Sequence, residues 1–320
     1  MKVAFTYFPL AINWNHGAAV LSQLCKNAVI ETELFPLYPG FTGEGFDYVC
    51  VSFVTVHDYR AAQDICRGIT VPKGAGGVYA RKGGIIEGFN NVCRGEGERI
   101  VDFFLEGDTS VFDNVLLDTD INPLPDYTGV TGYEFGRGIP FLAGKKLIPY
   151  SHSRGCPHHC SFCEVKNLPQ AVRVKTNIRA DLSELSKRYH PDLWYFTDET
   201  LPYYTKEWRE QLRGNSIPFL SFIRADINPA HLIMLIANGL HTCAMGIESG
   251  DEQYRNTILN KGVTDRQIYR TVEMLDRYGV NRIMLYMRHT PGETDAHRDK
   301  TFEMVDRLGG YPMIFEYERL

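Results

Sequence analysis

From residue 146 to the end, short apolar runs alternate with longer segments whose apolar residues recur every three or four positions. This alternation constrains the fold more than any other feature. "KLIPYSHS" (146–153), "DLWYFTDE" (192–199), "PFLSFIRAD", "HTCAMGIESG", "VNRIMLYMRHT" and "YPMIFEYERL" read as strands. "ADLSELSKRY" (180–189), "KEWREQLRG", "PAHLIMLIANG", "DRQIYRTVEMLDRYG" and "AHRDKTFEMVDRLGG" read as helices. In the fourth of these, apolar residues fall at i, i+3, i+4 and i+7, and Gly279 marks the stop. Six strands separated by five helices imply a parallel sheet, since a crossover helix returns each strand to the same direction.

A smaller alternation precedes it. "MKVAFTYF" and "FDYVCVSFV" predict buried strands, "GAAVLSQLCKNA" and "YRAAQDICRG" helices, and "ITVPKGAGG", "NVCRGEGE" and the helix "RIVDFFLEG" follow. The fold class is therefore α/β. A doubly wound, Rossmann-like domain is expected over residues 1–108, with its ligand crevice beyond the C-terminal ends of the strands. "INPLPDYTG" (121–129) marks a linker, 109–145, and the second domain spans 146–320.

Composition excludes several classes. With 44% hydrophobic and 23% charged residues, the 320-residue chain has the balance of a globular protein. A net charge of −5 and no basic run give no indication of a nucleic-acid partner. The apolar start is too broken for a signal peptide, and no run approaches the ~18 apolar residues of a membrane span. A cytoplasmic protein with free thiols and no membrane partner is expected.

Three of the eight cysteines sit in "SRGCPHHCSFC", at 156, 160 and 163. Cys25, Cys50, Cys66 and Cys243 lie singly in apolar stretches and read as small buried hydrophobes, and Cys93 sits near a loop. The triplet, flanked by Gly155 and Pro157, belongs to a loop. Three thiolates there suit a soft metal or an iron–sulfur centre. Zinc would need a fourth ligand, which His152, His158 or His159 could supply, but no second Cys or His pair follows.

Polar residues also recur at successive strand ends: "TDET" (197–200), Arg224 with Asp226, "GIESG" (246–250) and "MRHTPGE" (287–293). In an open parallel barrel, chemistry is placed there. Any one of them alone reads as well as a helix cap or a turn.

The C-x3-C-x2-C spacing, with Phe162 just before the last cysteine, resembles the signature of radical S-adenosylmethionine enzymes. The resemblance implies a six-stranded partial (β/α)6 TIM-like barrel and a [4Fe-4S] cluster on Cys156, Cys160 and Cys163. In that family the open iron chelates the amino and carboxylate groups of S-adenosylmethionine. One-electron reduction then yields methionine and a 5′-deoxyadenosyl radical. By carry-over, Phe162 packs near the adenine, Thr197, Asp198 and Glu199 meet the methionine amino group, and Glu248 and Ser249 reach the ribose or methionine. Arg224 is the implied carboxylate partner. His289 joins this set, although Arg288-His289-Thr290-Pro291-Gly292-Glu293 departs from the G-L-P-G-E-like segment of relatives.

The order of an N-terminal α/β unit ending in "RGEGE", a linker and then the cysteine loop resembles the cobalamin-binding class of these enzymes. It implies cobalamin contacts at His16, Gly17, Ser52, Val54, Gly76, Gly77, Gly95 and Glu96. The cobalt-binding D-x-H-x-x-G motif is absent, as in many members that leave the lower face open or water-bound. The expected reaction is methyl transfer to an unactivated carbon, with electrons from a reductant such as flavodoxin or ferredoxin. The substrate is a small molecule or one presented by another chain. The alternatives are a radical rearrangement or cyclisation without methylation, and an iron–sulfur electron carrier.

Overall fold

The computed structural model describes residues 1–7, 16–53, 56–77, 80, 85–94, 97–112, 124–125, 127, 139–163 and 173–317. These form two compact units, Met1–Arg137 and Gly138–Arg319. The expected linker, 109–145, is divided between them: Ile139 and Leu142 belong to the second unit and are buried.

The first unit runs β1 (Lys2–Tyr7), α1 (His16–Asn27), β2 (Glu31–Pro36), β3 (Tyr48–Ser52), α2 (Val56–Gly68), β4 (Lys73–Gly76), β5 (Asn91–Val92) and α3 (Ile100–Glu106). Its sheet is parallel throughout, in the order β2-β1-β3-β4-β5. The chain therefore reverses its direction of growth between β1 and β3, and ligand crevices of doubly wound sheets lie beyond the strand ends at such a switch. β1 is buried from Val3 to Tyr7, as a central parallel strand covered on both faces must be. On one face Val49, Val51 and Phe53 pack with Tyr59, Ala62 and Cys66 of α2. Tyr48 meets the rings of Phe103 and Phe104 of α3, and its hydroxyl donates to Asn91 Oδ1 at 2.8 Å.

The second unit contains β6 (Leu147–Tyr150), β7 (Ser153–Arg154), β8 (Arg173–Val174), α4 (Ile178–Tyr189), β9 (Leu193–Phe196), α5 (Lys206–Leu212), β10 (Phe219–Phe222), α6 (Pro229–Ala237), β11 (Leu240–Glu248), α7 (Glu252–Thr257), α8 (Asp265–Arg277), β12 (Asn281–Arg288), α9 (Asp295–Leu308) and β13 (Tyr311–Glu316). Six of these strands pair in the order β6-β9-β10-β11-β12-β13, every neighbour parallel and next in sequence within the sheet. This is the expected six-stranded βα array. β7 and β8 form a separate antiparallel pair bracketing the cysteine loop.

Local sequence sets the helix starts at the strand ends. Thr264 and Thr294 close capping boxes with Gln267 and His297, and Asn228 precedes Pro229 at the first turn of α6. Trp194, Trp208, Phe196 and Phe219 are buried, with the last two rings stacked at 4.8 Å. No helix among the described residues is long and apolar enough to cross a membrane.

Candidate cluster and cofactor site

The cysteine loop leaves the C-terminal end of β6, where a barrel of this kind gathers its chemistry. Gly155 turns it through the left-handed region, at φ 97°. Cys160 is buried, and Cys156 and Cys163 are half-buried. A second segment, 258–261, braces the loop. Ser161 N–H donates to Leu259 O at 2.9 Å, its hydroxyl to Ile258 O at 2.6 Å, and Asn260 Nδ2 to His159 O at 2.8 Å.

Asp198 anchors the stem of the loop. Its Oδ1 accepts from the backbone N–H of His152 (3.0 Å) and Ser153 (2.7 Å) and from the Ser153 hydroxyl (2.7 Å), while Oδ2 lies 2.9 Å from His152 Nδ1. The His152 ring is enclosed by Tyr150, Phe196 and Trp208. Its Nε2 has no partner among the described residues. Asp198 thus spends its acceptors on the loop. His152, offered by the sequence as a fourth zinc ligand, is committed through Nδ1 to Asp198.

Arg224, just beyond β10, reaches the cysteines. Nε and Nη2 grip Asp226 at 3.1 and 3.0 Å, Nη2 also donates to Lys261 O at 2.7 Å, and Nη1 donates to Cys160 Sγ at 3.6 Å. Burial opposes the guanidinium's charge, but Asp226 and Cys160 outweigh it and hold its pKa above the ordinary value. Burial is also the chief reason that the Cys156 thiol is raised. The His158 N–H and the Arg224 charge oppose that rise, and Cys160 and the exposed Glu199 add to it. Without metal, Cys156 therefore keeps its proton at neutral pH, and metal binding must displace it.

Lys261 joins the remaining site residues. Its ammonium lies 2.8 Å from Glu248 Oε1 and 5.6 Å from the centre of the Phe162 ring. Glu248 ends β11 in the left-handed region, at φ 67°, where the pairing with β12 is irregular. A Cβ at Gly246 would strike the Glu248 carboxylate and approach Lys261 Nζ to 3.0 Å, so the pair needs glycine there. Phe162, Cys160, Arg224, Glu248 and Lys261 form one connected group.

Other predicted residues stand apart from that group. Thr197 N–H donates to Tyr150 O at 3.0 Å, tying β9 to β6. The Ser249 hydroxyl is buried, accepting from Asp251 N–H at 3.2 Å and lying 3.4 Å from Thr301 Oγ1. His289 is exposed at φ 60°, with Nε2 3.3 Å from Glu316 Oε2 of β13. Sequence reasoning missed Lys261 and Asn260, single residues in a loop with no periodic or motif signal.

The donor set fits an iron–sulfur cluster: three thiols on one loop, with a guanidinium donating to one of them. Among the described residues, no group of three or more His, Cys, Asp or Glu side chains is gathered round a single metal-ion position.

In the first unit, Ser52 and Gly76-Gly77 stand at the ends of β3 and β4. Gly77 has φ 92°, and a Cβ there would strike Phe53 O and come within 2.7 Å of Ser52 Oγ. A Cβ at Gly76 would meet only Cys93 Cβ, at 3.7 Å. Tyr7, at the end of β1, has a buried hydroxyl with no partner among the described residues, and burial pushes its pKa up to about 12. This orphaned hydroxyl and the glycine cradle fit a polar ligand at the strand ends. His16 and Gly17 begin α1, but their side chains, together with Val54, Gly95 and Glu96, lie outside the described residues.

Residues 150–305 match the family model of the Radical SAM superfamily. The fold is similar to that of the radical S-adenosylmethionine methyltransferase TsrM from Kitasatospora setae with cobalamin and a [4Fe-4S] cluster bound. The TM-score is 0.68 at 13% identity, over 99% of this chain and 72% of that one. It is also similar to the cobalamin-dependent S-adenosylmethionine radical enzyme OxsB with aqua-cobalamin and S-adenosylmethionine bound, with a TM-score of 0.62 at 17% identity. That likeness covers 96% of this chain but 52% of OxsB, so the chain spans about half of OxsB's length. No curated protein matches the sequence.

Proposed function

We propose that this chain, whose residues 150–305 match the Radical SAM superfamily model, is a cobalamin-dependent member of that family that transfers a methyl group to an unactivated carbon. The observation that carries this reading is the extent of the fold likeness. It takes in 96–99% of the chain, and so includes the N-terminal parallel sheet as well as the barrel.

Cys156, Cys160 and Cys163 would hold the cluster, and the ends of β1, β3 and β4, with Tyr7, Ser52, Gly76 and Gly77, would hold the corrinoid. When bound, these groups supply the electron that cleaves S-adenosylmethionine into methionine and a 5′-deoxyadenosyl radical, and the carrier for a methyl group. The protein's part is to bind, orient and shield. Asp198 fixes the stem of the cysteine loop through its backbone amides, and the 258–261 segment fixes the tip. Glu248 offers a carboxylate held in place by Lys261 through Oε1, and Oε2, without a partner among the described residues, would accept from an amino group or ribose hydroxyl. Phe162 presents an apolar ring beside them for the adenine. The electron donor would be a small redox protein such as flavodoxin or ferredoxin, and the substrate a small molecule or one presented by another chain.

The test is an anaerobic optical spectrum of the full chain reconstituted with iron, sulfide and cobalamin, followed by product analysis with S-adenosylmethionine and reductant. Cluster and corrinoid bands together, with both 5′-deoxyadenosine and S-adenosylhomocysteine formed, are expected. A complete cluster with no bound corrinoid overturns methyl transfer and leaves radical chemistry without it.

A further inference from the structure

We infer that Arg224 and Asp226 form a paired charge that sets the reduction potential of the cluster through the Cys160 thiolate. The inference rests on the assignment of Cys156, Cys160 and Cys163 as cluster ligands. The resemblance assigns Arg224 to the S-adenosylmethionine carboxylate, but the geometry spends the guanidinium elsewhere. Of its five N–H donors, Nε and one Nη2 hydrogen serve Asp226 (3.1 and 3.0 Å), the other Nη2 hydrogen serves Lys261 O (2.7 Å), and one Nη1 hydrogen serves Cys160 Sγ (3.6 Å). A single Nη1 hydrogen remains, too few for a bidentate carboxylate clamp.

The arrangement suits electrostatic control. The bidentate grip of Asp226 and the Lys261 carbonyl lock the guanidinium plane, so Nη1 is held on the sulfur. The Arg224 and Asp226 side chains are 15% and 24% exposed and Cys160 is 8% exposed, so water and salt screen their fields weakly. Reduction adds negative charge to a cluster and its thiolates. An N–H donor and a cation beside one thiolate stabilise the reduced form and raise the potential. The Asp226 carboxylate pulls the other way. The two residues therefore have opposite predicted signs, whereas a merely structural ion pair would give the same loss whichever partner was removed.

The experiment is a redox titration of the reconstituted holoenzyme, following the reduced cluster by electron paramagnetic resonance. Iron content and circular dichroism are measured on each sample. Arg224→Gln, which removes the cation, should shift the midpoint to lower potential. Asp226→Asn, which keeps the shape and a hydrogen-bond acceptor but removes the anion, should shift it to higher potential. Arg188→Gln, at an exposed arginine paired with Glu184 on α4, should leave it in place. Shifts of the same sign in the first two variants, or no shift in either, overturn the inference. If Arg224→Gln does not retain its iron, Asp226→Asn decides alone: an upward shift supports the inference, and no shift or a downward one overturns it. Wild-type protein that takes up no iron would instead remove the cluster assignment beneath it, and iron content reads that outcome separately.

Discussion

Gly246 and Gly250 flank the same strand end, yet they are glycines for different reasons. A Cβ at Gly246 would meet the tip of a side chain, the Glu248 carboxylate, which can swing away. A Cβ at Gly250 would meet the backbone of α9 at Lys300 O, and Thr301 Cα at 2.7 Å, which cannot. Gly246→Ala should therefore fold and take up iron, but with Glu248 and Lys261 displaced. Loss of a hydrogen bond to a charged group should weaken S-adenosylmethionine binding roughly tenfold. Gly250→Ala should overpack the helix against the strand and lower stability by about 1–3 kcal/mol. Equilibrium binding and thermal unfolding of the two variants check this, and equal effects on both properties would contradict it. That "GIESG" closes a strand was legible in the sequence. The contrast between the two glycines was not, because it depends on Lys261 and α9, which reach the strand end only in the folded chain.

Among the elements, α7 shows why some structure escapes a reading of the sequence. Its six residues, Glu252–Thr257, are too few to display a helical period. Tertiary contacts hold it: Asp251 caps Tyr254 N–H at 2.8 Å and pairs with Lys300 at 2.6 Å, and the buried Arg255 bonds to Ser249 O, Val263 O and Asp265. The two-residue β5 escapes for the same reason, whereas α8, thirteen residues with an apolar stripe and a capping box, was plain in advance. Asp251→Ala should cost about 1 kcal/mol for the lost cap. Burial raises the Asp251 pKa, but Lys300 and the Tyr254 N–H outweigh it, and the net shift is downward. A carboxylate with a depressed folded pKa contributes its full stabilisation above its unfolded value, about 4, and loses it as pH falls through the folded value. The stability gap between wild type and Asp251→Ala should be constant from pH 5 to 7 and narrow below pH 4. Denaturant midpoints across that range measure it, and a gap that widens toward acid would contradict the ion pair and cap as drawn.

For the whole molecule, the order of parts was the most legible feature. A parallel α/β unit followed by a cysteine loop on the first strand of a six-stranded array could be read from alternation and spacing alone. The position of the unit boundary could not, since Ile139 and Leu142 are packed by tertiary contacts that no composition shift announces. The proposal that each unit holds its own cofactor makes a prediction that neither unit makes alone: each cofactor should be removable without the other. Gly77 is the wrong lever, because its left-handed backbone and the clash with Phe53 O would disturb the strand itself. Gly76 is the right one, since its Cβ direction is open apart from Cys93 at 3.7 Å and its φ suits any residue. Gly76→Phe should fill the cradle at the end of β4 and abolish corrinoid binding, while iron content and 5′-deoxyadenosine formation stay at the wild-type level. Cys163→Ala should do the reverse, losing iron and deoxyadenosine but keeping the corrinoid band. Corrinoid retained at full occupancy in Gly76→Phe, with the protein folded by circular dichroism, would mean that cobalamin does not sit at these strand ends. Loss of iron together with corrinoid in Gly76→Phe would mean that the two units do not hold their cofactors independently.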